Sequence, residues 1–383
     1  MKTDNYNPYL SFYGKYKISP VKQDLSNLNL HLARREKLYR TLGIPVFAFQ
    51  RKSVLEVGCG GGHNALAFLL WGAQVDLVEP NPKAREEIQP LFDRYNIDQD
   101  RWRLIDTMIE DFNINRSYDM VFAEGFIQCI KNKAEVIQKL SNVTKKGGVV
   151  VVTCADDISF FFDFLKRIVG FRLIQLNGTT CFEDKVCLLR RAFGSHLESL
   201  KCATRLIEDW VIDNLVNPEK YGDFFSIADC IGLFGKEFEF LGSSPRMFTE
   251  YSWYKDVQSS YKSQIIDQFH QKWHLLLMVG LEESTRRVED NILLNRTIRE
   301  LRRCIEDKGN RIDKENFVPI LSFLKQIQAL AGPIDSRIVK VIDEVQELIL
   351  DEALSPEKIS NAGHFRSAFG RGQQYVSMVK KSM

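Results

Sequence analysis

The chain has 383 residues, 44% of them hydrophobic, which is enough for two or three globular domains with sizeable cores. Its 52 Lys and Arg balance 50 Asp and Glu, which argues against a protein whose bulk charge drives it onto nucleic acid or an anionic membrane. The eight cysteines are scattered without a C-x-x-C pair, as is typical of reduced thiols. Because no signal-peptide core and no apolar run of about 18 residues is present, we expect a cytoplasmic protein without a membrane span.

The first predicted helix covers 26–42, where leucines recur at helical spacing before Gly43 and Pro45 end it. We expect the tyrosine-rich leader before it to be either a lid or an arm packed on the domain. From 52 to 154 strand and helix patterns alternate, which predicts a parallel sheet with helices on both faces. The predicted strands are 53–57, 74–79, 103–106, 118–123 and 148–154, and the predicted helices are 62–72, 82–95 and 132–142.

Helical patterns then dominate 183–216 and 255–351, on either side of a glycine-, proline- and aromatic-rich stretch at 217–254. Near the end, "FGRGQQYVSMVKK" contains a short β-prone run that needs a sheet to join. The predicted fold class is therefore α/β, a Rossmann-like doubly wound and mostly parallel sheet with a largely helical insertion before the last strand. The predicted domains are an N-terminal arm and cap helix (1–50), the Rossmann-like domain (51–175), the insertion (176–360) and the returning strand (361–383).

The glycine turn in "LEVGCGGGHNALAFLLWGAQVDLVEPN", residues 55–81, limits the cofactors that the sheet can hold. His63 replaces the third glycine of a dinucleotide turn, and no Lys-Ser or Lys-Thr pair of a Walker loop follows Gly62. The turn amides and the start of the next helix still suit an anion such as a carboxylate. Glu79, 21 residues after Gly58, is placed to bind a ribose diol. The pattern predicts a nucleoside that carries a carboxylate.

"LEVGCGGG" and "VDLVEPN" resemble the first two motifs of the class I S-adenosylmethionine-dependent methyltransferases. "LIDTMIEDF", "YDMVFAEGFIQCI" and "KKGGVVVVT" resemble the later motifs in order, so that the resemblance covers roughly 50–155. It implies S-adenosyl-L-methionine as the cofactor. The residues that it implies for the cofactor site are Glu56, Gly58, Cys59, Gly60, Gly62, Glu79, Pro80, Asn81, Met108, Ile109, Glu124 and Gly125. Met108 stands where the family often has an Asp, so adenine is expected to be held by backbone and apolar contacts alone.

Two observations argue against a nucleic-acid acceptor. "AEGF" stands in place of the Asn/Asp-Pro-Pro-aromatic signature of base-amino enzymes, and Cys129 lacks the proline that precedes a cytosine-C5 nucleophile. We therefore expect a small-molecule acceptor and no nucleic-acid partner. The candidate general bases are Glu124 and His63, with a cofactor-holding role and a helix-capping role as the respective alternatives.

Acceptor residues are predicted in and around the insertion, because aromatic faces with carboxylates and amides suit sugar rings. They are Asp209, Trp210, Asp213, Asn214, Arg246, Tyr251 and Trp253; the alternative is that the tryptophans pack a core. The stretches "LYRTLGIPVFAF", "IEDWVIDN", "GSSPRMFTEYSWYKD" and "FGRGQQYVSMVKK" also resemble, less specifically, methyltransferases of bacterial surface-saccharide biosynthesis. His270 and His274 have metal-binding spacing without a third ligand, so no metal site is expected.

The function predicted is methyl transfer from S-adenosylmethionine to a hydroxyl or amine of a small molecule, in particular a sugar or saccharide precursor. One alternative is a protein or RNA methyltransferase whose helical insertion docks the macromolecule. Another is a non-catalytic assembly protein that keeps the fold. The assembly protein would associate through the helical seam at 281–305, which includes the row Leu294, Ile298, Leu301 and Ile305. The helical insertion is also the expected surface for a homo-oligomer.

Overall fold

The computed structural model describes residues 8–16, 18–19, 22–113, 115–218, 224–255 and 261–382. The strands are β1 (Ser53–Val57), β2 (Gln74–Val78), β3 (Trp102–Ile105), β4 (Tyr118–Ala123), β5 (Thr144–Cys154), β6 (Phe238–Ser244) and β7 (Gln374–Lys380). The helices are α1 (Pro8–Tyr16), α2 (Leu28–Thr41), α3 (His63–Leu70), α4 (Pro82–Arg94), α5 (Lys133–Asn142), α6 (Phe161–Leu176), α7 (Phe182–Ser199), α8 (Ile207–Val211), α9 (Ile227–Leu233), α10 (Lys262–Lys272), α11 (Val288–Glu306), α12 (Lys314–Ala331), α13 (Ser336–Leu350), α14 (Pro356–Asn361) and α15 (Gly363–Ser367). Tyr6 of the leader lies outside the described residues.

The strands form one seven-stranded sheet in the order β3-β2-β1-β4-β5-β7-β6 across the described part of the chain. β1 to β5 are parallel, and β7 pairs antiparallel with both β5 and β6. The carboxyl ends of β1, β2 and β4 therefore lie side by side, on both sides of the point where the strand order reverses. Ligands of open α/β sheets bind at such a reversal point. The predicted fold class is confirmed, including the return of the last strand to the first sheet.

β6 is the strand that the sequence pattern did not predict. It lies inside the 217–254 stretch, at the edge of the sheet, and pairs only with β7 among the described strands. A bulge interrupts its register between Phe240 and Gly242. The strand depends on a partner more than 130 residues away in the chain, and local periodicity carries no signal for such a pairing.

The helix before β1 forms as predicted but buries a different face. Its buried residues are His31, Arg35 and Tyr39, four residues apart. Of the predicted leucine row, Leu42 is buried just after the helix, whereas Leu28, Leu32 and Leu38 are half-buried. Tyr39 packs among rings of the sheet's core; its centroid lies 5.6 Å from that of Phe68. The helix therefore directs a polar row inward, toward the carboxyl edge of β4 described below.

The described chain divides into two compact units. The sheet unit comprises 1–155, 219–269 and 373–383, and the helical unit comprises 156–218 and 270–372. These bounds differ from the predicted ones, because 1–50 belongs to the sheet unit and the segments 156–175, 219–269 and 361–372 change units. α6 belongs to the helical unit because it packs with α7 and α13, and 219–269 belongs to the sheet unit because it supplies β6.

In the helical unit the row Leu294, Ile298, Leu301 and Ile305 is buried along α11, which packs on α12. This seam is thus covered by the chain's own helices. Arg302 is buried as well, and its guanidinium Nε lies 2.8 Å from Asp157 Oδ1. Among the helices of the described ranges, none is long and apolar enough to cross a membrane.

Candidate functional site

The turn after β1 is built from glycines with left-handed backbone. Gly58, Gly60 and Gly62 have φ angles of 68°, 54° and 78°, a region that residues with a Cβ adopt only at a cost. A Cβ on Gly58 would lie 2.7 Å from the Phe126 ring. Gly62 is the residue before α3, so the turn delivers main-chain amides to the start of that helix. The turn therefore has the geometry of an anion-binding loop, in which a side chain at Gly58 would clash with a neighbouring ring.

Glu79 braces this turn from the end of β2. Its Oε2 accepts the Gly60 N–H at 2.7 Å and its Oε1 accepts the Asn81 N–H at 2.9 Å. Asn81 in turn caps α4 through its side chain. Burial raises the pKa of Glu79, and the two main-chain hydrogen bonds oppose that shift. Each carboxylate oxygen keeps a second lone pair, so the group can also accept two hydroxyl donors of a ligand.

The end of β3 lies beside Glu79. The Glu79 N–H donates to the carbonyl of Ile105, the last residue of β3, at 3.2 Å. Met108 and Ile109 follow this strand; Met108 is half-buried and Ile109 is buried. The predicted ribose and adenine residues therefore lie at the same edge of the sheet.

Glu124 leaves the end of β4 and is held by the buried face of α2. Arg35 Nη2 lies 2.8 Å and 2.7 Å from its two oxygens, and the Tyr39 hydroxyl donates to Oε1 at 2.9 Å. Arg35 also contacts the Tyr39 hydroxyl and ring. Arg35 and Tyr39 thus occupy both carboxylate oxygens of Glu124.

Glu56, on β1, lies beside this ion pair. Its side chain is only 1% exposed, and its Oε2 has no hydrogen-bond partner among the described residues. Burial, and then the negative charge of Glu124, raise the pKa of Glu56 to about 8. An unpartnered buried carboxyl oxygen is costly in a folded protein. It marks a position prepared for a cationic or donor group of a ligand.

His63, the first residue of α3, is half-buried. Burial lowers the pKa of its imidazole to about 4, so the ring is neutral at physiological pH. Its main-chain carbonyl lies 3.1 Å from His31 Nε2. The ring is thus a weaker base than a free histidine, although it stays neutral and can accept a proton.

The predicted acceptor residues fall in different units. Asp209, Trp210, Asp213 and Asn214 belong to the helical unit, and Arg246, Tyr251 and Trp253 belong to the sheet unit. Trp210 is buried near Phe369, and Asp213 is paired with Arg205 at 2.7 Å. These two side chains serve the interior of the helical unit, as the packing alternative expected for Trp210.

Tyr251 and Trp253 are, in contrast, 91% and 67% exposed. Tyr254 beside them is 80% exposed, and the Lys255 ammonium lies over the Trp253 ring at 5.1 Å. The packing alternative therefore fails for Trp253. Arg246 is also exposed.

Sequence patterns missed four residues of the site: Arg35, Tyr39, Asn64 and Phe126. The signal for the first two was the i, i+4 row that begins at His31, which the leucine periodicity concealed. The leader also reaches the site, because the Asn81 side chain donates to the carbonyl of Ile18 at 3.3 Å.

The comparisons with known proteins agree with the motif analysis. Residues 55–150 match the family described as methyltransferase domain, whereas no curated protein matches the chain. Similar solved structures include the CcbJ methyltransferase from Streptomyces caelestis, with 18% identity, 28% of this chain and 45% of that chain covered, and a TM-score of 0.26. TehB from Haemophilus influenzae is 18% identical over 39% of this chain and 46% of that chain, with a TM-score of 0.28.

A third similar structure is the N-methyltransferase NodS from Bradyrhizobium japonicum WM9, with 17% identity, 40% and 75% coverage and a TM-score of 0.32. The chain spans about half the length of the first two structures. The matched segment holds the glycine turn, Glu79 and Glu124. Over residues 55–150 the chain is therefore similar to methyltransferase domains.

Proposed function

We propose that the protein transfers a methyl group from S-adenosylmethionine to a hydroxyl or amine of a small molecule, in particular a sugar or saccharide precursor. The observation that carries the first half is the arrangement around the glycine turn. The glycine turn, a buried Glu56 carboxyl whose Oε2 has no hydrogen-bond partner among the described residues, and Glu79 lie at one edge of the sheet. These groups fit the three polar parts of the cofactor.

Each part has a matching residue type. The turn amides and the start of α3 suit the methionine carboxylate, Glu56 suits its ammonium, and Glu79 suits the ribose diol. Half-buried Met108 and buried Ile109 offer apolar walls for adenine. When bound, the cofactor supplies an electrophilic methyl group on its sulfonium. Cys59, Pro80 and Gly125 complete the set of proposed cofactor residues.

The ionisation of the polar side chains favours catalysis by positioning. Methyl transfer is an in-line displacement, so alignment and exclusion of water supply most of the rate enhancement. Glu124 is engaged by Arg35, and burial lowers the pKa of His63 to about 4. Glu124 is therefore held in an ion pair, and the His63 imidazole is a weak base at neutral pH. We therefore favour an acceptor whose proton leaves to solvent during or after transfer.

Support for a saccharide acceptor comes from the aromatic segment at 251–254. Exposed rings are unusual on a protein surface, and they offer flat apolar faces that match the C–H faces of sugar rings. Arg246, a few residues before them, adds hydrogen-bond donors. We assign acceptor binding to Arg246, Tyr251 and Trp253, and a structural role to Trp210 and Asp213.

The experiment is a transfer assay with methyl-labelled S-adenosylmethionine and a fractionated metabolite extract that contains nucleotide sugars and oligosaccharides. We expect label in a saccharide fraction, loss of transfer in Glu79→Ala, and a raised KM for the acceptor in Trp253→Ala. Glu86→Ala, an exposed change on α4, is the matched control. Label found only in added protein or RNA would contradict the acceptor class, and no transfer to any fraction would contradict the activity.

A further inference from the structure

Glu56, Glu124, Arg35, Tyr39 and Asn64 form a buried polar cluster at the carboxyl edge of the sheet. Arg35 and Glu124 are 8% and 6% exposed at their side chains, and Tyr39 is fully buried. The Asn64 amide donates to Glu124 Oε2 at 3.4 Å and also hydrogen-bonds Glu56. One amide thus links the two carboxyl groups.

The charges in this cluster do not balance when both carboxyl groups are ionised. Arg35 directs the same nitrogen at both Glu124 oxygens, whereas Glu56 Oε2 has no partner within the described residues. Arg35 and the Asn64 hydrogen bond favour the ionised form of Glu56, whereas burial, Glu124 and then Glu79 oppose it. The Cys59 thiol, whose pKa burial raises, stays protonated. Tyr39 stays protonated for the same reason.

We propose that Glu56 carries a proton in the unliganded protein and releases it when the cationic ammonium of the cofactor binds, and that Arg35, which pairs with the neighbouring Glu124, is a positioning residue for this exchange. The inference rests on the proposed function. The charge balance is simple: a neutral carboxyl and an ammonium become a carboxylate–ammonium pair, and one proton passes to the buffer. Without ligand, protonation of Glu56 avoids a second buried negative charge beside Glu124. With ligand, the ammonium neutralises that charge instead.

The pKa of about 8 for Glu56 sets the pH range. At pH 7 about nine-tenths of the Glu56 side chains carry the proton, so binding releases about 0.9 proton per ligand. The dissociation constant of the cofactor product then rises by about tenfold for each pH unit below 8, because the proton and the ammonium compete for the same carboxyl.

The test is calorimetric titration of the full chain with S-adenosylhomocysteine at pH 7 in buffers of different ionisation enthalpy, which counts the protons released. We expect about one proton for the wild type and for Glu86→Ala, an exposed change on α4 outside the buried cluster. Glu56→Gln should bind more weakly and release none. Arg35→Gln should raise the pH above which the affinity no longer changes with pH, and Arg35→Lys should restore the wild-type dependence of affinity on pH.

Saturable binding whose heat is independent of the buffer would overturn the proton exchange and leave the proposed function intact. Proton release that persists in Glu56→Gln would overturn the assignment to Glu56. Complete absence of binding by the wild type would instead overturn the proposed function. If Arg35→Gln fails to fold, the wild-type proton count and Glu56→Gln still decide the question.

Discussion

Replacing Glu79 by alanine tests whether one carboxylate both braces the glycine turn and binds the ribose. The change removes the acceptor of two main-chain donors, Gly60 N–H at 2.7 Å and Asn81 N–H at 2.9 Å. A hydrogen bond to a charged group contributes about 1.5–3 kcal/mol. The burial that raises the pKa of Glu79 offsets part of this gain, so we expect a net loss of about 2 kcal/mol in the free energy of unfolding. The lost ribose contacts should weaken S-adenosylhomocysteine binding by about 100-fold, or ~3 kcal/mol.

Denaturant unfolding and calorimetry measure the two effects separately. Glu79→Gln keeps one acceptor oxygen and should fall between the wild type and alanine in both measurements. Glu86→Ala, which breaks an exposed pair with Lys83, should change stability by less than about 0.5 kcal/mol and leave affinity unchanged. Wild-type affinity in Glu79→Ala would refute the ribose assignment, and wild-type stability would refute the brace.

Four further outcomes are expected. Gly58→Ala should cost more than about 1 kcal/mol of stability, because φ is 68° and the new Cβ would meet Phe126 at 2.7 Å; Phe126→Leu should restore part of the loss in denaturant melts, and full stability of the single variant would contradict the turn geometry. Gly194→Ala, inside α7 with nothing within 4 Å of its Cβ, should instead stabilise by up to about 1 kcal/mol in the same melts. Burial lowers the pKa of Lys166 from 10.5 to about 8, so between these pH values the unfolded chain binds more protons than the folded chain. The free energy of unfolding should therefore rise with pH across that window, by about 3 kcal/mol. Lys166→Met should remove this rise from unfolding curves measured at different pH values. Because burial lowers the pKa of His63 to about 4, this residue should not produce an inflection near pH 6.5 in the pH–rate profile. The wild type and His63→Asn should therefore have the same profile shape near that pH.

The sequence predicted β1 to β5 and the helices between them because parallel strands buried on both faces are short apolar runs. The glycine turn and Glu79 were predictable for a similar reason: their function depends on spacing within 25 residues. β6 was not, because its pairing with β7 joins distant parts of the chain.

The ion pair of Arg35 with Glu124 also joins residues far apart, 89 positions along the chain. Nothing in the local pattern of α2 distinguishes buried Arg35 from its half-buried neighbour Arg34 except the face that tertiary packing buries. Trp210 and Trp253 illustrate the same limit. Composition predicts a pocket from either tryptophan, but only the packed structure separates a 4% exposed ring from a 67% exposed one.

Binding of S-adenosylhomocysteine to the wild-type chain, measured by titration calorimetry, tests the central claim most directly. The arrangement of Glu56, the glycine turn and Glu79 predicts saturable binding of one ligand per chain, with a matching rise in thermal stability. The absence of both heat and thermal shift at millimolar ligand would contradict the account.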